Sequence, residues 1–261
     1  MKTVKIGKHL AELYDSIEEL PVVRYHKYQK YLLIDSGIGA TIEDFDKHIE
    51  KARRYCMTDD TANAQKELEN LRQSVYMIQS ELSPRHLAFA CLVFSIDGKQ
   101  CTDITDDGLR KIVENFLNAS IKDLTDCIES VKKKIETELA LYFPELTEGA
   151  EAKEFFDILR NRTLLVLKNI IAGFTNPDTT REVEEITTKL ITFSNPQTFS
   201  GSDSIEIKFD RQFENLCISL SSQLGINPKQ YTVMEFYNAV EYLKEKIKAE
   251  EKALNKANKR R

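Results

Sequence analysis

The chain has 261 residues, 41% hydrophobic and 30% charged, with nine glycines and six prolines. That balance fits a globular protein rich in helix formers and excludes a disordered or fibrous one, while the length admits one large domain or two modest ones. The net charge of −5 is polarised: Lys244 to Arg261 holds eight Lys/Arg against three Glu, so the rest of the chain sums to −10.

Five cysteines (Cys56, Cys91, Cys101, Cys127, Cys217) are odd in number and widely spread, which argues against a disulfide framework and for a reducing, cytoplasmic compartment. The basic start, Met1 to His9, is not followed by an apolar run, so no secretory signal is expected. The most apolar stretch, Leu87 to Ile96, falls well short of the ~20 residues of a membrane-crossing helix and reads as a core helix, so no membrane partner is expected.

In chain order, Leu10, Leu13 with Tyr14, and Ile17 make a short helical stripe. Pro21 opens a helix through Ile34 that stops at Asp35-Ser-Gly37. Thr41 caps a third, ending near Met57 and carrying Phe45, Ile49, Ala52 and Cys56 inward. Ala64, Leu68, Leu71, Val75, Ile78 and Leu82 alternate spacings of four and three along one seam. Ser83-Pro84 starts the apolar run Leu87 to Phe94, which the pattern makes the central buried element. Asp97-Gly98 suits a tight turn pairing Phe94–Ile96 with Gln100–Thr102.

Thr105 begins a helix to about Asn118, and a second seam follows at Ile121, Leu124, Ile128, Val131, Ile135, Leu139 and Tyr142, ended by Pro144. After an acidic loop from Glu145 to Glu151, Phe155 to Ile171 is apolar on more than one side and is expected to insert between layers, with Gly173 as its cap. Phe193 to Ser204 is crowded with turn formers. Ser204 to Phe209 alternates like a half-buried strand. Asp210 is placed to cap a helix through Leu224-Gly225, and Thr232-Val-Met-Glu235 reads as a capping box for a last helix carrying Phe236, Val240, Leu243 and Ile247 inward. The predicted core includes Leu71, Val75, Phe89, Leu92, Leu124, Val131 and Leu167.

The expected fold is therefore mainly α, a multi-helix bundle with at most one short hairpin or strand pair. Residues 1–193 form the main helical domain, 194–204 a loop or linker, and 205–261 a strand-helix-helix segment with a basic terminal arm. No internal repeat of fixed period is present.

Motifs that promise chemistry have plainer readings. Gly37-x-Gly39 after an apolar run resembles part of a dinucleotide loop, but Ile42 occupies the third glycine position, so an interhelical loop is preferred. Neither the cysteines nor His9, His26, His48 and His86 have metal-ligand spacing. Cys91 with His86, or His26 beside Tyr25 and Tyr28, offers a nucleophile and a base, yet a cysteine in an apolar helix is usually a small buried hydrophobe. Tyr25-His-Lys-Tyr-Gln-Lys-Tyr31 interleaves aromatics and bases as single-stranded nucleic-acid binders do. An amphipathic helix burying Val22, Tyr25, Tyr28 and Leu32 explains the same letters. No catalytic, metal or cofactor residues are assigned, and no enzyme activity is expected.

The segment Lys244 to Arg261 differs, because its apolar positions thin while its charge rises. It is read as a protruding docking arm through Lys244, Lys248, Lys252, Lys256, Lys259, Arg260 and Arg261.

Two stretches, Leu20 to Gly39 (LPVVRYHKYQKYLLIDSGIG) and Leu216 to Tyr237 (LCISLSSQLGINPKQYTVMEFY), resemble proteins of the structural and tail-assembly region of tailed bacteriophages, particularly phages of gut Bacteroidota. The second is similar to the Leu-Gly-Ile turn and Thr-x-x-Glu-Phe helix start of small tail-assembly chaperones. The resemblance implies a non-enzymatic protein that binds other virion or tail components during assembly, in the host cytoplasm or the virion. Its partners would be other phage structural or assembly proteins or a second copy. The alternative is a nucleic-acid-binding or host-modulating phage protein that uses the basic arm.

Overall fold

The computed structural model describes residues 1–79, 83–116, 121–144, 158, 160–167, 177–193 and 195–258. The chain is mainly α, with a single antiparallel sheet among the described residues, in the order β1-β2-β3-β4. It divides into two units that the chain enters more than once: residues 1–35, 82–143 and 206–261 make unit 1, and 36–81 and 144–205 make unit 2. Residues 194–204 lead up to the last of these crossings.

In unit 1, β1 (Lys2–Ile6) and β2 (His9–Leu13) form a hairpin turned at Gly7, whose φ of +58° suits glycine. Of the helical stripe expected at Leu10, Leu13 with Tyr14, and Ile17, Leu10 and Leu13 lie in this strand instead and Ile17 in a turn beyond it. The strand's burial has period two: Ala11 and Leu13 are fully buried, whereas Leu10 is 50% exposed. β3 (Val93–Ile96) pairs with β2, and β4 (Lys99–Gln100) pairs with β3 across Asp97-Gly98, both at positive φ as this tight hairpin turn requires. The expected strand pair is therefore one end of a four-stranded sheet.

Two helices of unit 1 that follow in the chain begin on their expected caps. The Ser83 hydroxyl accepts from the Arg85 amide at the start of α4 (Pro84–Leu92), and Thr105 from Gly108 at the start of α5 (Asp106–Glu114). The seam of α6 (Ile121–Tyr142) buries Leu124, Ile128, Val131, Ile135 and Leu139, although Tyr142 is exposed. In α4, Ala88 to Leu92 are at most 1% exposed, which makes it the central element expected.

α1 (Val22–Gly37) places Arg24, 4% exposed, beneath the sheet. Its guanidinium donates to the carbonyls of Cys91 (3.2 Å), Val93 (3.1 Å) and Cys101, and lies 5.6 Å from the Tyr14 ring centroid. A cation here satisfies the carbonyl end of α4, which a helix otherwise leaves unpaired.

Ile205 to Phe209 is not the expected strand but the first turns of α8 (Ile205–Leu224), with Asp210 inside the helix rather than at its cap. The local alternation loses to a longer stripe at Phe209, Phe213, Cys217, Leu220 and Leu224, which packs on α1 and α9. α9 (Val233–Asn258) opens with the expected capping box: the Thr232 amide donates to Glu235 Oε2 (2.9 Å) and the Glu235 amide to Thr232 Oγ1 (3.3 Å). The amides of Val233 and Met234 donate to Leu20 and Ile17, so all the first-turn donors of α9 have partners. Val22, Cys217, Leu220, Phe236 and Leu243 form the core between these helices, but Ile247 is 46% exposed, contrary to the inward position expected of it.

Unit 2 contains α2 (Ile42–Met57), α3 (Thr61–Gln79), a helical segment at 160–167, α7 (Pro177–Ile191) and an extended stretch around residues 195–199. Thr41 caps α2 as expected, yet the buried face holds His48, Ala52, Arg54 and Tyr55, while Ile49 and Cys56 are exposed. α3 departs further from expectation. Its buried face is Asn63, Ala64, Glu67, Asn70 and Ser74, whereas Leu68 (54%) and Val75 (37%) are exposed and Leu71 is half-buried.

The reason is hydrogen bonding. Asn63 donates to Asn195 Oδ1 (3.0 Å), Asn70 to the Gln197 carbonyl (3.0 Å), and Glu67 meets His48. The polar stripe is thus needed inside, and the apolar seam turns to the flank. Leu167 is also exposed, against expectation. The acidic loop Glu145–Glu151, Gly173, Leu82 and most of Phe155–Ile171 lie outside the described residues.

The Gly37-x-Gly39 pattern serves packing. A Cβ on Gly37 would run into the Phe199 ring, and Gly39 sits at φ +67° against Asp44. Gly37→Ala is expected to cost about 1–3 kcal/mol through overpacking, read as a lower urea midpoint for unit 2. An unchanged midpoint would mean that Phe199 moves aside freely.

Candidate functional site

The sequence-derived site residues belong to the far end of α9. Among the described side chains of this helix the last buried one is Leu243, and Lys244, Lys248 and Lys252 are exposed. Helix continues to Asn258, so the part beyond Leu243 extends for about 22 Å at ~1.5 Å per residue. Lys256 falls on this helix, but its side chain, like Lys259, Arg260 and Arg261, lies outside the described residues. One contact ties the near end back: Lys246 Nζ approaches the Gln223 carbonyl at 3.5 Å. The capping box and the Ile17 and Leu20 carbonyls fix the other end of the same helix, so the direction of the arm is set by unit 1.

Unit 1 also has a cleft of about 650 Å³ between the β3–β4 turn and α5, lined by residues that include Asp97, Lys99, Cys101, Asp103, Lys111 and Asn115. Most of its polar groups already hold the fold. Asp97 accepts from the Leu10 amide (2.8 Å) and pairs with His9 Nδ1 (2.7 Å), contacts that keep its carboxyl below the ordinary range. Asp103 accepts from the Thr105 hydroxyl (2.6 Å) and amide (2.9 Å) and is lowered by them. Asn115 Nδ2 donates to the Lys111 carbonyl (2.8 Å). Burial raises the Cys101 thiol above its ordinary value, which keeps it protonated and a poor nucleophile near neutral pH. Lys99 and Lys111 give the rim two cations; nothing among these groups is activated for proton transfer or attack.

The residues weighed as a nucleophile and a base are not brought together. Cys91 is 1% exposed and burial pushes its pKa to about 12, and no hydrogen bond joins it to His86 among the described residues. His26 is held by Asp210 at 2.8 Å. The tyrosines of the 25–31 run are buried, Tyr28 completely, so their faces are not offered to nucleobases. Among the described residues no group of three or more His, Cys, Asp or Glu is placed to hold a metal ion, and no helix is long and apolar enough to cross a membrane.

Sequence reasoning missed two arrangements. One is the buried His48–Glu67 pair of unit 2; the other is a cavity walled by aromatic residues from α1, α8 and α9. Both join residues distant in sequence, and neither has a local motif. Comparison with protein-family models, curated proteins and solved structures finds no match.

Proposed function

We propose that the protein is a non-enzymatic binding protein that engages other virion or tail components during phage assembly, with the end of α9 as its docking arm. The observation that carries the reading is the arm itself: a helix anchored at its start that continues past Leu243 with Lys244, Lys248 and Lys252 exposed. Exposed as it is at Lys244, Ile247 and Lys248, the part beyond Leu243 adds little to the core, since burial of apolar area is what stabilises. Its cations oppose an otherwise acidic chain and steer toward acidic surfaces, on a virion protein or a second copy. The phage setting rests on the likeness of the Leu20–Gly39 and Leu216–Tyr237 stretches. The same lysines favour a second reading, contact with nucleic acid.

Deleting the residues after Ile247 tests the arm. The expected result is a melting temperature within about 2 °C of the full chain, a change of a few tenths of a kcal/mol, with loss of binding to purified tail or capsid proteins from neighbouring genes. A fall of several degrees with binding intact would make the arm structural and overturn the reading. Binding to duplex DNA that falls steeply as salt rises would favour the second reading instead.

A further inference from the structure

β4 is an edge of the sheet, and it borders the cleft of about 650 Å³ that unit 1 forms beside α5. Which backbone groups face away from β3 follows from the trans peptide, in which an N–H and the preceding C=O point opposite ways. The Cys101 amide donates inward to the Phe94 carbonyl (2.8 Å), so the Gln100 carbonyl points outward. The Cys101 carbonyl is held on the β3 side by Arg24, which also bonds Val93, so the Thr102 amide points outward too. β4 pairs only with β3, and neither outward group has a partner among the described residues.

An acceptor and a donor separated by one residue are what an extended chain uses. One residue of an added strand donates to the first and accepts from the second. The opposite wall leaves a channel for such a strand. It is one face of α5 and its C-cap, with Gly108, Lys111, Ile112 and Asn115 at helical spacing. Ile96 and Ile112 add apolar surface to the lining. Charge does not choose the occupant, since Lys99 and Lys111 stand with Asp97 and Asp103 in the same lining. A second copy of this chain is disfavoured, because edge-to-edge pairing at β4 would bring the copy's own α5 into the channel. A lone segment of another protein carries no such wall.

We propose that the outer edge of β4 binds an extended peptide segment of a partner protein, which adds to the sheet as a strand between β4 and α5. The site shares no residue with the basic arm and draws on backbone hydrogen bonds rather than on cations.

The test uses the full chain as bait for a library of random heptapeptides displayed on yeast, with the selected peptides then made synthetically. Their addition is expected to shift the NMR amide signals of Gln100, Thr102 and Ile112. N-methylation of the peptide, one nitrogen at a time, should abolish binding at the position that donates to Gln100 and spare the adjacent ones, because successive strand amides face opposite sides. Thr102→Pro removes the outward donor and should weaken the peptides about tenfold, the worth of one backbone hydrogen bond whose partner is left unpaired. If that variant does not fold, the methylation pattern on the native chain decides alone. Failure to select any peptide, peptides indifferent to methylation or to Thr102→Pro, or a dimer of the free chain that Thr102→Pro dissolves would overturn the proposal.

Discussion

Glu67→Ala is expected to cost unit 2 about 3–5 kcal/mol, the range for removing one partner of a buried charged pair. The Glu67 side chain is 2% exposed and His48 6%, and Glu67 Oε2 lies 2.7 Å from His48 Nδ1. The other ring nitrogen, Nε2, faces the Ile38 carbonyl at 2.9 Å and must therefore carry a hydrogen. Whichever of the two residues holds it, one proton then lies between Nδ1 and Oε2. Alanine removes that partner, leaves a polar ring atom buried, and opens a void between α2 and α3. Lys51, 3.8 Å from the carboxylate and partly exposed, does not replace it. His48→Ala should cost a comparable amount, and the double variant much less than the sum, because each single change already orphans the other residue. Hydrogen exchange at α2 and α3 amides is the readout. A cost below ~1 kcal/mol together with additive effects would show that the pair does not hold the unit together.

Leu92→Ala should cost about 2–5 kcal/mol through lost burial and the cavity left behind. Leu92 is fully buried at the end of α4, the helix that packs on α5 and α6. The Cys91 and Val93 carbonyls beside it are fixed by Arg24, so collapse around the void is resisted. Chemical denaturation followed by circular dichroism measures this, and a cost under ~0.5 kcal/mol would place the helix at the surface. Leu68→Ala is the control: with the side chain 54% exposed, it should lie near the small effects typical of surface positions.

The contrast between α6 and α3 shows what the sequence can disclose. Both carry apolar residues at spacings of three and four, and in α6 that stripe is the buried one. In α3 the inward face is chosen by Asn63, Glu67 and Asn70, whose partners Asn195, His48 and Gln197 lie elsewhere in the chain, so periodicity alone pointed to the wrong side. Caps were legible because their physics is local: Thr41, Ser83, Thr105 and the Thr232–Glu235 box each satisfy amides within a few residues. The five letters Ile205 to Phe209 misled for the opposite reason, since a short alternation was read without the stripe that continues it to Leu224. The arm was visible as charge. The aromatic cavity was not, because its walls come from α1, α8 and α9.

The interleaving of the units bears on how the protein is made. Unit 1 needs residues 206–261 to complete itself, so its first 35 residues emerge from the ribosome long before their partners Tyr231, Val233 and Met234 exist. During that interval the apolar face of α1 that meets Cys217, Leu220 and Phe236 is uncovered, which favours post-translational closure and slow assembly of distant contacts. Unit 2, whose second segment ends at Ile205, has all its residues available earlier. Nascent chains stalled after Ile205 should therefore protect unit 2 from protease while unit 1 remains open to it.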